Sequence, residues 1–164
     1  MKKETVNQEE LFQILAIFET EGIKYWLDGG WGVDVLTGKQ NREHRDVDID
    51  FDAEATEQLV HLLQQKGFEI VTDWLPVRME LWHADFGYLD IHPFILNEDG
   101  SAKQADLEGG YYQFAADFFT KVNYQGKEIP CISKKAQQLF HTGYELRDVD
   151  KIDLENLARV TEQD

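Results

Sequence analysis

The run Asp46-Val47-Asp48-Ile49-Asp50-Phe51 places a carboxylate at every second position with apolar side chains between. Side chains at i and i+2 leave a strand on the same face. Asp48 and Asp50 therefore point together, while Val47, Ile49 and Phe51 enter a core. Like charges so close repel unless a cation sits between them. Magnesium suits the position, because it takes hard oxygen ligands, uses few protein carboxylates and completes its shell with water and substrate phosphates. Asp46 shares this face and Asp52 follows, so the run either holds more than one ion or simply begins and ends a strand.

Upstream lies Asp28-Gly29-Gly30-Trp31-Gly32. Gly-Gly allows positive φ and close backbone approach. A strand over residues 23–27 leads into it, and a short helix over 31–36, stopped by Gly38, leads out. Strand, glycine turn and helix N-terminus make an anion site. An isolated Gly-Gly reads as an ordinary turn; the acidic strand downstream makes Gly29 and Gly30 a phosphate cradle. Arg42, His44 and Arg45 lie between the two motifs. They either contact phosphate, which suits guanidinium geometry, or solvate a loop. A phosphate cradle beside a metal clamp is the equipment of nucleotidyl transfer.

The elements that must position these groups follow from periodicity. Residues 5–21 carry Leu11, Ile14, Leu15 and Phe18 at helical spacing, with Gly22 as a stop. Residues 53–66 predict a second helix, capped by Asp52, buried through Leu59, Leu62 and Leu63, and stopped by Gly67. Strands are predicted at 68–72, 77–83 and 88–96, the last two joined as a hairpin through 84–87. Residues 97–112 read as loop, a hairpin turns at Gln125-Gly126, Ser133 caps a helix to His141 ended by Gly143, and 150–161 form a last helix.

Strand 88–92 puts Tyr88, Asp90 and His92 on one face, so pairing beside Asp48 and Asp50 adds a third carboxylate. Arg78 and Glu80 are either an exposed ion pair or, across from Asp90, pocket residues. Tyr111, Tyr112 and Phe114 are core or rim aromatics, or the wall that grips a small ligand.

Bulk properties narrow the function further. The 164 residues suit one domain, 1–164, and 42% hydrophobic content fits a globular chain. The start lacks a signal peptide's apolar stretch and no segment reaches bilayer length, so a cytoplasmic protein without a membrane partner is expected. The single cysteine, Cys131, agrees, and reads as a small buried residue. With 32 acidic and 16 basic residues the net charge is −16, which repels nucleic acid. A nucleoside triphosphate still binds if magnesium and local cations mask its charge. A neutral or cationic small molecule is the easier acceptor. The oligomeric state stays open, a homodimer included.

The stretches 25–34 and 42–51, with Arg78-Met79-Glu80-Leu81, Gly87 to Pro93 and Ile129 to Ser133, resemble the small antibiotic nucleotidyltransferases of the DNA polymerase β-like superfamily, specifically the short lincosamide type. The likeness runs over nearly the whole chain. It implies an α/β (α+β) nucleotidyltransferase fold, a mixed sheet flanked by helices with C-terminal helices. It also implies transfer of a nucleoside monophosphate, expected to be AMP, from ATP or GTP to a hydroxyl of lincomycin or clindamycin, and hence antibiotic resistance. By position, Gly29 and Gly30 would meet the triphosphate, Asp48 and Asp50 would hold magnesium, and Asp90 would be the third carboxylate ligand and the base, with His92 in reserve. Glu80, His92, Tyr111 and Tyr112 would line the acceptor site. One departure stands out: the superfamily often has Ser after the first glycine of the turn, and here Gly30 and Trp31 follow. Three rivals remain: an aminoglycoside nucleotidyltransferase with a more cationic acceptor, a non-catalytic nucleotide- or metal-binding module, and an enzyme that modifies tRNA or protein. The first differs only in its acceptor. Retention of all three carboxylates argues against the second, and the charge disfavours tRNA.

Overall fold

The first helix opens at Asn7, whose side chain accepts from the Glu10 N–H while Glu10 accepts from the Asn7 N–H. This reciprocal cap satisfies two otherwise orphaned donors and starts α1 (Gln8–Thr20) inside the predicted range. In the computed structural model, which describes residues 2–141 and 145–160, the elements then run β1 (Tyr25–Asp28), α2 (Gly29–Thr37), β2 (Asp46–Asp52), a 3₁₀ turn (Ala53–Ala55), α3 (Thr56–Gln65), β3 (Glu69–Trp74), β4 (Arg78–His83), β5 (Gly87–Leu96), β6 (Ala102–Ala105), β7 (Tyr111–Phe114), a 3₁₀ turn (Ala116–Phe118), β8 (Phe119–Tyr124), β9 (Lys127–Ile132), α4 (Lys134–Phe140) and α5 (Asp148–Ala158).

The main sheet has the order β3-β4-β5-β2-β1-β9-β8, with β6 paired to β5 and β7 to β6. It is mixed: β2 runs parallel to β5 and antiparallel to β1. The mixed sheet with helices that the resemblance implied is what forms. One sheet face is apolar. Val47, Ile49 and Phe51 of β2, Leu89 and Ile91 of β5 and Met79 and Leu81 of β4 share a core with Leu11, Ile14, Leu15 and Phe18 of α1 and Leu59 and Leu63 of α3. That burial sets the register, because a slip of one residue would turn every acid of β2 inward.

Three local expectations shift. The glycines do not form a turn ahead of a helix: Gly29 and Gly30 are its first residues, with Asp28 as N-cap accepting from the Gly29 N–H. Asp52 caps the 3₁₀ turn at 53–55 rather than α3 itself, accepting from the Glu54 N–H. Residues 97–112 are not simply loop, because β6 and β7 pair there as a hairpin. Asp106 closes its tip by accepting from the Glu108 and Gly110 N–H groups, an Asx turn that periodicity does not register. The other hairpin turns as predicted through Gln125 and Gly126, both at positive φ. Ser133 caps α4 by accepting from the Ala136 N–H. Gly143, and Thr161 at the end of the last predicted helix, lie outside the described residues. Among the described residues no helix is long and apolar enough to cross a membrane. Cys131 is buried on β9, which pushes its thiol up to about 12, as a packing residue requires.

The loop between α2 and β2 is tied down from within. His44, 2% exposed, places Nε2 2.6 Å from Asp34 Oδ2 and packs on Trp31. Asn41 donates twice more to Asp34, from its backbone and its amide. Burial pushes the Asp34 carboxyl up, but the bonds from His44 and Asn41 outweigh it and hold the group below its ordinary value. A carboxylate held low contributes stability that is complete above its unfolded pKa and is lost as pH falls through the folded one. Asp34→Asn should therefore destabilise the fold by roughly 3 kcal/mol near neutrality, the scale for breaking a buried pair. In urea denaturation repeated at decreasing pH, the gap between variant and wild type should narrow below about pH 4. A gap independent of pH would mean that the charge of Asp34 is immaterial.

Candidate active site

Register, more than spacing along one strand, assembles the site. Asp48 lies opposite Asp90 on one side and Asp28 on the other, and Asp90 lies opposite Glu80. Four adjacent strands thus carry a row Glu80, Asp90, Asp48, Asp28 on the face away from the apolar core. Asp46 flanks it opposite Tyr88, and Asp50 opposite His92 and Trp26.

Within this row two groups of side chains bring their ligand atoms within 4.8 Å of one another: Asp48, Asp90 and His92, and Asp46, Glu80 and Asp90. The structure therefore brings together Asp48, Asp90, His92 and Glu80 as expected, and adds Asp46. Burial, reinforced by the charges of Asp48 and Asp90, pushes Asp46 up to about 7. Burial also raises Asp90, to about 6; the charge of Asp48 adds to this, and His92 and Arg78 oppose it. For His92 burial works downward, but the Asp48 hydrogen bond and the Asp90 charge prevail and lift it to about 9. Its Nε2 sits 3.4 Å from Asp48 Oδ1 and 3.5 Å from Asp90 Oδ1. A histidine protonated at neutrality is a counter-charge and a poor proton acceptor.

Asp50 departs from the expected metal pair. It is 1% exposed and faces Asp28, and its Oδ2 has no hydrogen-bond partner among the described residues. Burial, and after it the charge of Asp28, raise its carboxyl well above the ordinary range. It shares a face with Asp48 but stands outside both ligand groups, whereas Asp46, two residues the other way, falls inside one.

The basic loop also divides. His44 is committed to Asp34 inside the fold, so it cannot face phosphate. Arg42 grips Asp153 of α5 through Nε and Nη2, both at 2.9 Å, and gives Nη1 to the Glu43 carbonyl. Arg45 borders the acids, 3.1 Å from Glu80, 3.6 Å from Asp46, and stacked on Tyr88. Arg78 lies 3.6 Å from Asp90, so it and Glu80 are pocket residues and not an exposed pair.

The aromatic wall splits as well. Successive strand residues face opposite ways. Tyr112 pairs with Gln104, whose amide lies 3.4 Å from His92, so Tyr112 stands on the acidic face. Tyr111 pairs with Ala105 and borders a separate hollow with Leu75, Pro76 and Ile95 on the other face. Phe114 is buried against Phe94 and Phe140.

Comparison with known proteins adds the lineage. Residues 10–157 match the aminoglycoside-2''-adenylyltransferase family. The chain belongs to this family. It is 56% identical to the lincosamide resistance protein of Staphylococcus haemolyticus, over 98% of this chain and 100% of that protein. It is also 56% identical to the lincosamide antibiotic adenylyltransferase LnuA, solved with lincomycin bound, with a TM-score of 0.91 over 96% of this chain and 99% of that one. ANT(2'')-Ia in complex with adenylyl-2''-tobramycin has the same fold at 20% identity, with a TM-score of 0.69 over 93% of this chain and 87% of that one. The nucleotidyltransferase resemblance read from the motifs is therefore correct.

In this antibiotic nucleotidyltransferase the glycines serve close approach. A Cβ on Gly29, whose φ is +63°, would run into the Asp48 carboxylate. One on Gly30 would strike the Arg42 guanidinium and the His44 ring. Sequence reasoning left Asp46 and Arg78 open and missed Gln104 and Trp74 altogether. For Asp46 the signal was its shared parity with Asp48; for the others only the strand pairing could show it. Gly29→Ala should leave melting within a few degrees of wild type yet remove nearly all turnover, because Asp48 must move aside. Thermal melting and a pyrophosphate-release assay read the two effects separately, and a fully active Gly29→Ala would show that Asp48 need not sit over the glycine.

Proposed function

We propose that this chain transfers AMP from ATP to a hydroxyl of a lincosamide such as lincomycin or clindamycin, releasing pyrophosphate, and so confers resistance to those drugs. The observation that carries the reading is the in-register meeting of Asp48 with Asp90, flanked by Asp46, beside the N-terminus of α2. The two relatives at 56% identity, one a lincosamide resistance protein and one a lincosamide adenylyltransferase, support the acceptor class.

The donor set fits a divalent cation. It consists of hard oxygens, burial and then the charge of Asp48 push Asp46 and Asp90 up, and Asp90 Oδ1 has no hydrogen-bond partner among the described residues. Asp46, Asp48 and Asp90 would hold magnesium, replacing the Asp48/Asp50 pair expected from parity alone. When bound, the ion supplies charge stabilisation at the reacting phosphate oxygens. The residues of the chain do the rest. The N–H groups at the start of α2 meet the triphosphate, with Arg45 as the nearby cation. Asp90, titrating near 6, accepts the acceptor's hydroxyl proton as that oxygen attacks the α-phosphorus and pyrophosphate departs. His92 holds its charge between Asp48 and Asp90, steadying both.

Two predictions test this reading. Asp46→Asn and Asp48→Asn should each abolish turnover, while Asp50→Asn should retain it within about tenfold, since Asp50 is buried and stands outside both ligand groups. Asp90→Asn should slow turnover by more than roughly 10²–10⁴-fold, the usual worth of a general base, because a metal ligand is lost with the base, while affinity for the lincosamide is little changed. Single-turnover kinetics with each substrate saturating reads both; an inactive Asp50→Asn beside an active Asp46→Asn would return the metal to the original pair.

The acceptor is tested directly. Incubation with magnesium, ATP or GTP, and a panel of lincomycin, clindamycin and kanamycin should give a nucleotide adduct by mass only on the lincosamides. An adduct on kanamycin with lincomycin unmodified would transfer the chain to aminoglycosides and leave the catalytic assignments intact.

A further inference from the structure

Two large aromatic rings that the chemistry above does not use stand exposed on the acidic face. Trp74, at the end of edge strand β3, is 54% exposed, and Tyr112 on β7 is 59% exposed. Neither position is predicted by proximity in sequence to the acids. Each is joined to the centre by one side chain. Trp74 lies opposite Arg78, whose guanidinium sits 4.7 Å from the indole ring and 3.6 Å from Asp90. Tyr112 lies opposite Gln104, which contacts His92 Nδ1 at 3.4 Å and donates to the Val77 carbonyl at 3.3 Å. Val77 directly precedes Arg78, so the two connections meet beside Asp90 and His92. Arg78 Nη1, the atom that faces Asp90 Oδ2 at 3.6 Å, is buried and makes no hydrogen bond among the described residues. A polar group in that state calls for a ligand or water.

We propose that Trp74 and Tyr112 bracket the acceptor, holding its apolar frame between two rings while Arg78 and Gln104 present polar groups to its sugar. The occupant is an amphiphilic amine carrying a sugar, which is the chemistry of a lincosamide, so the inference rests on the acceptor reading above. Charge complementarity supports it: the acidic row draws an amine toward the face, and the rings supply the apolar contact that an open row of carboxylates lacks. Exposed aromatics beside a polar centre are a common mark of a binding surface. The arrangement also explains why Tyr111, one residue from Tyr112, takes no part, because it leaves the hairpin on the opposite face.

The test is calorimetric binding of lincomycin, and separately of magnesium–ATP, to the wild type and to Trp74→Ala, Trp74→Phe, Tyr112→Ala and Leu107→Ala, alongside mass analysis of the wild-type reaction. Leu107 is exposed near the tip of the hairpin that carries Tyr112. Trp74→Ala and Tyr112→Ala should each weaken lincomycin binding about tenfold, as truncating a buried aromatic anchor does. Affinity for ATP should be unchanged, Trp74→Phe should recover most of the loss, and Leu107→Ala should match wild type. Lincomycin binding within twofold of wild type in both alanine variants would overturn the inference, as would wild type that does not bind lincomycin. Wild type that binds lincomycin through these rings but forms no adduct would sink the reaction and leave the bracket standing.

Discussion

Everything at this site depends on holding carboxylates side by side on one sheet face against their own repulsion. Glu80, Asp90, Asp48 and Asp28 occupy four adjacent strands in register. Left to itself such a row would splay or shift. The underside prevents this, because Val47, Ile49, Leu89, Ile91 and Leu81 are fully buried, and a one-residue slip would exchange them for acids. Hydrophobic burial on one face thus supports electrostatic strain on the other. Counter-charges at the borders relieve part of that strain: Arg45 at Glu80 and Asp46, Arg78 at Asp90, and His92 between Asp48 and Asp90. Burial, with the neighbouring acids, pushes the Asp46 and Asp50 carboxyls up.

The glycine motif has two neighbours to accommodate at once. Above Gly29 stands the Asp48 carboxylate, and above Gly30 stand Arg42 and His44. A side chain at either position would push the acid row away from the start of α2, or push the loop off the helix. Arg42 and His44 act inward as struts. One reaches Asp153 of α5, and the other reaches Asp34 of α2. The charge of Arg42 is therefore used to dock the last helix, which explains how residues more than a hundred positions away help to set the wall of the site.

The acid row and the exposed rings occupy different parts of the fold. The acids sit on strands in the middle of the sheet, where ladders on both sides fix their positions. Trp74 lies on the edge strand, and Tyr112 on a hairpin that leaves the main path. Edges and hairpins can change their side chains without disturbing a central register, so the rings and the acid row are structurally independent.

From the sequence alone, the alternation of Asp with Val, Ile and Phe, the paired glycines, the helical stripes and the residues that carried the family resemblance determined the reaction class, the mixed sheet and the shared face of Asp46, Asp48 and Asp50, while Asp90, His92 and Glu80 joined them only through strand register. These features were legible because period two, period 3.6 and glycine's missing side chain are local physics. Which of Asp46 and Asp50 joins Asp48 was not legible, since parity puts all three on one face and only the neighbouring strands decide which carboxylate meets Asp90 and which is buried against Asp28. The inward turn of His44, the capture of Arg42 by Asp153, the opposite facing of Tyr111 and Tyr112, and the arrival of Trp74 beside Arg78 were decided only by tertiary structure, because each depends on a partner far away in the chain.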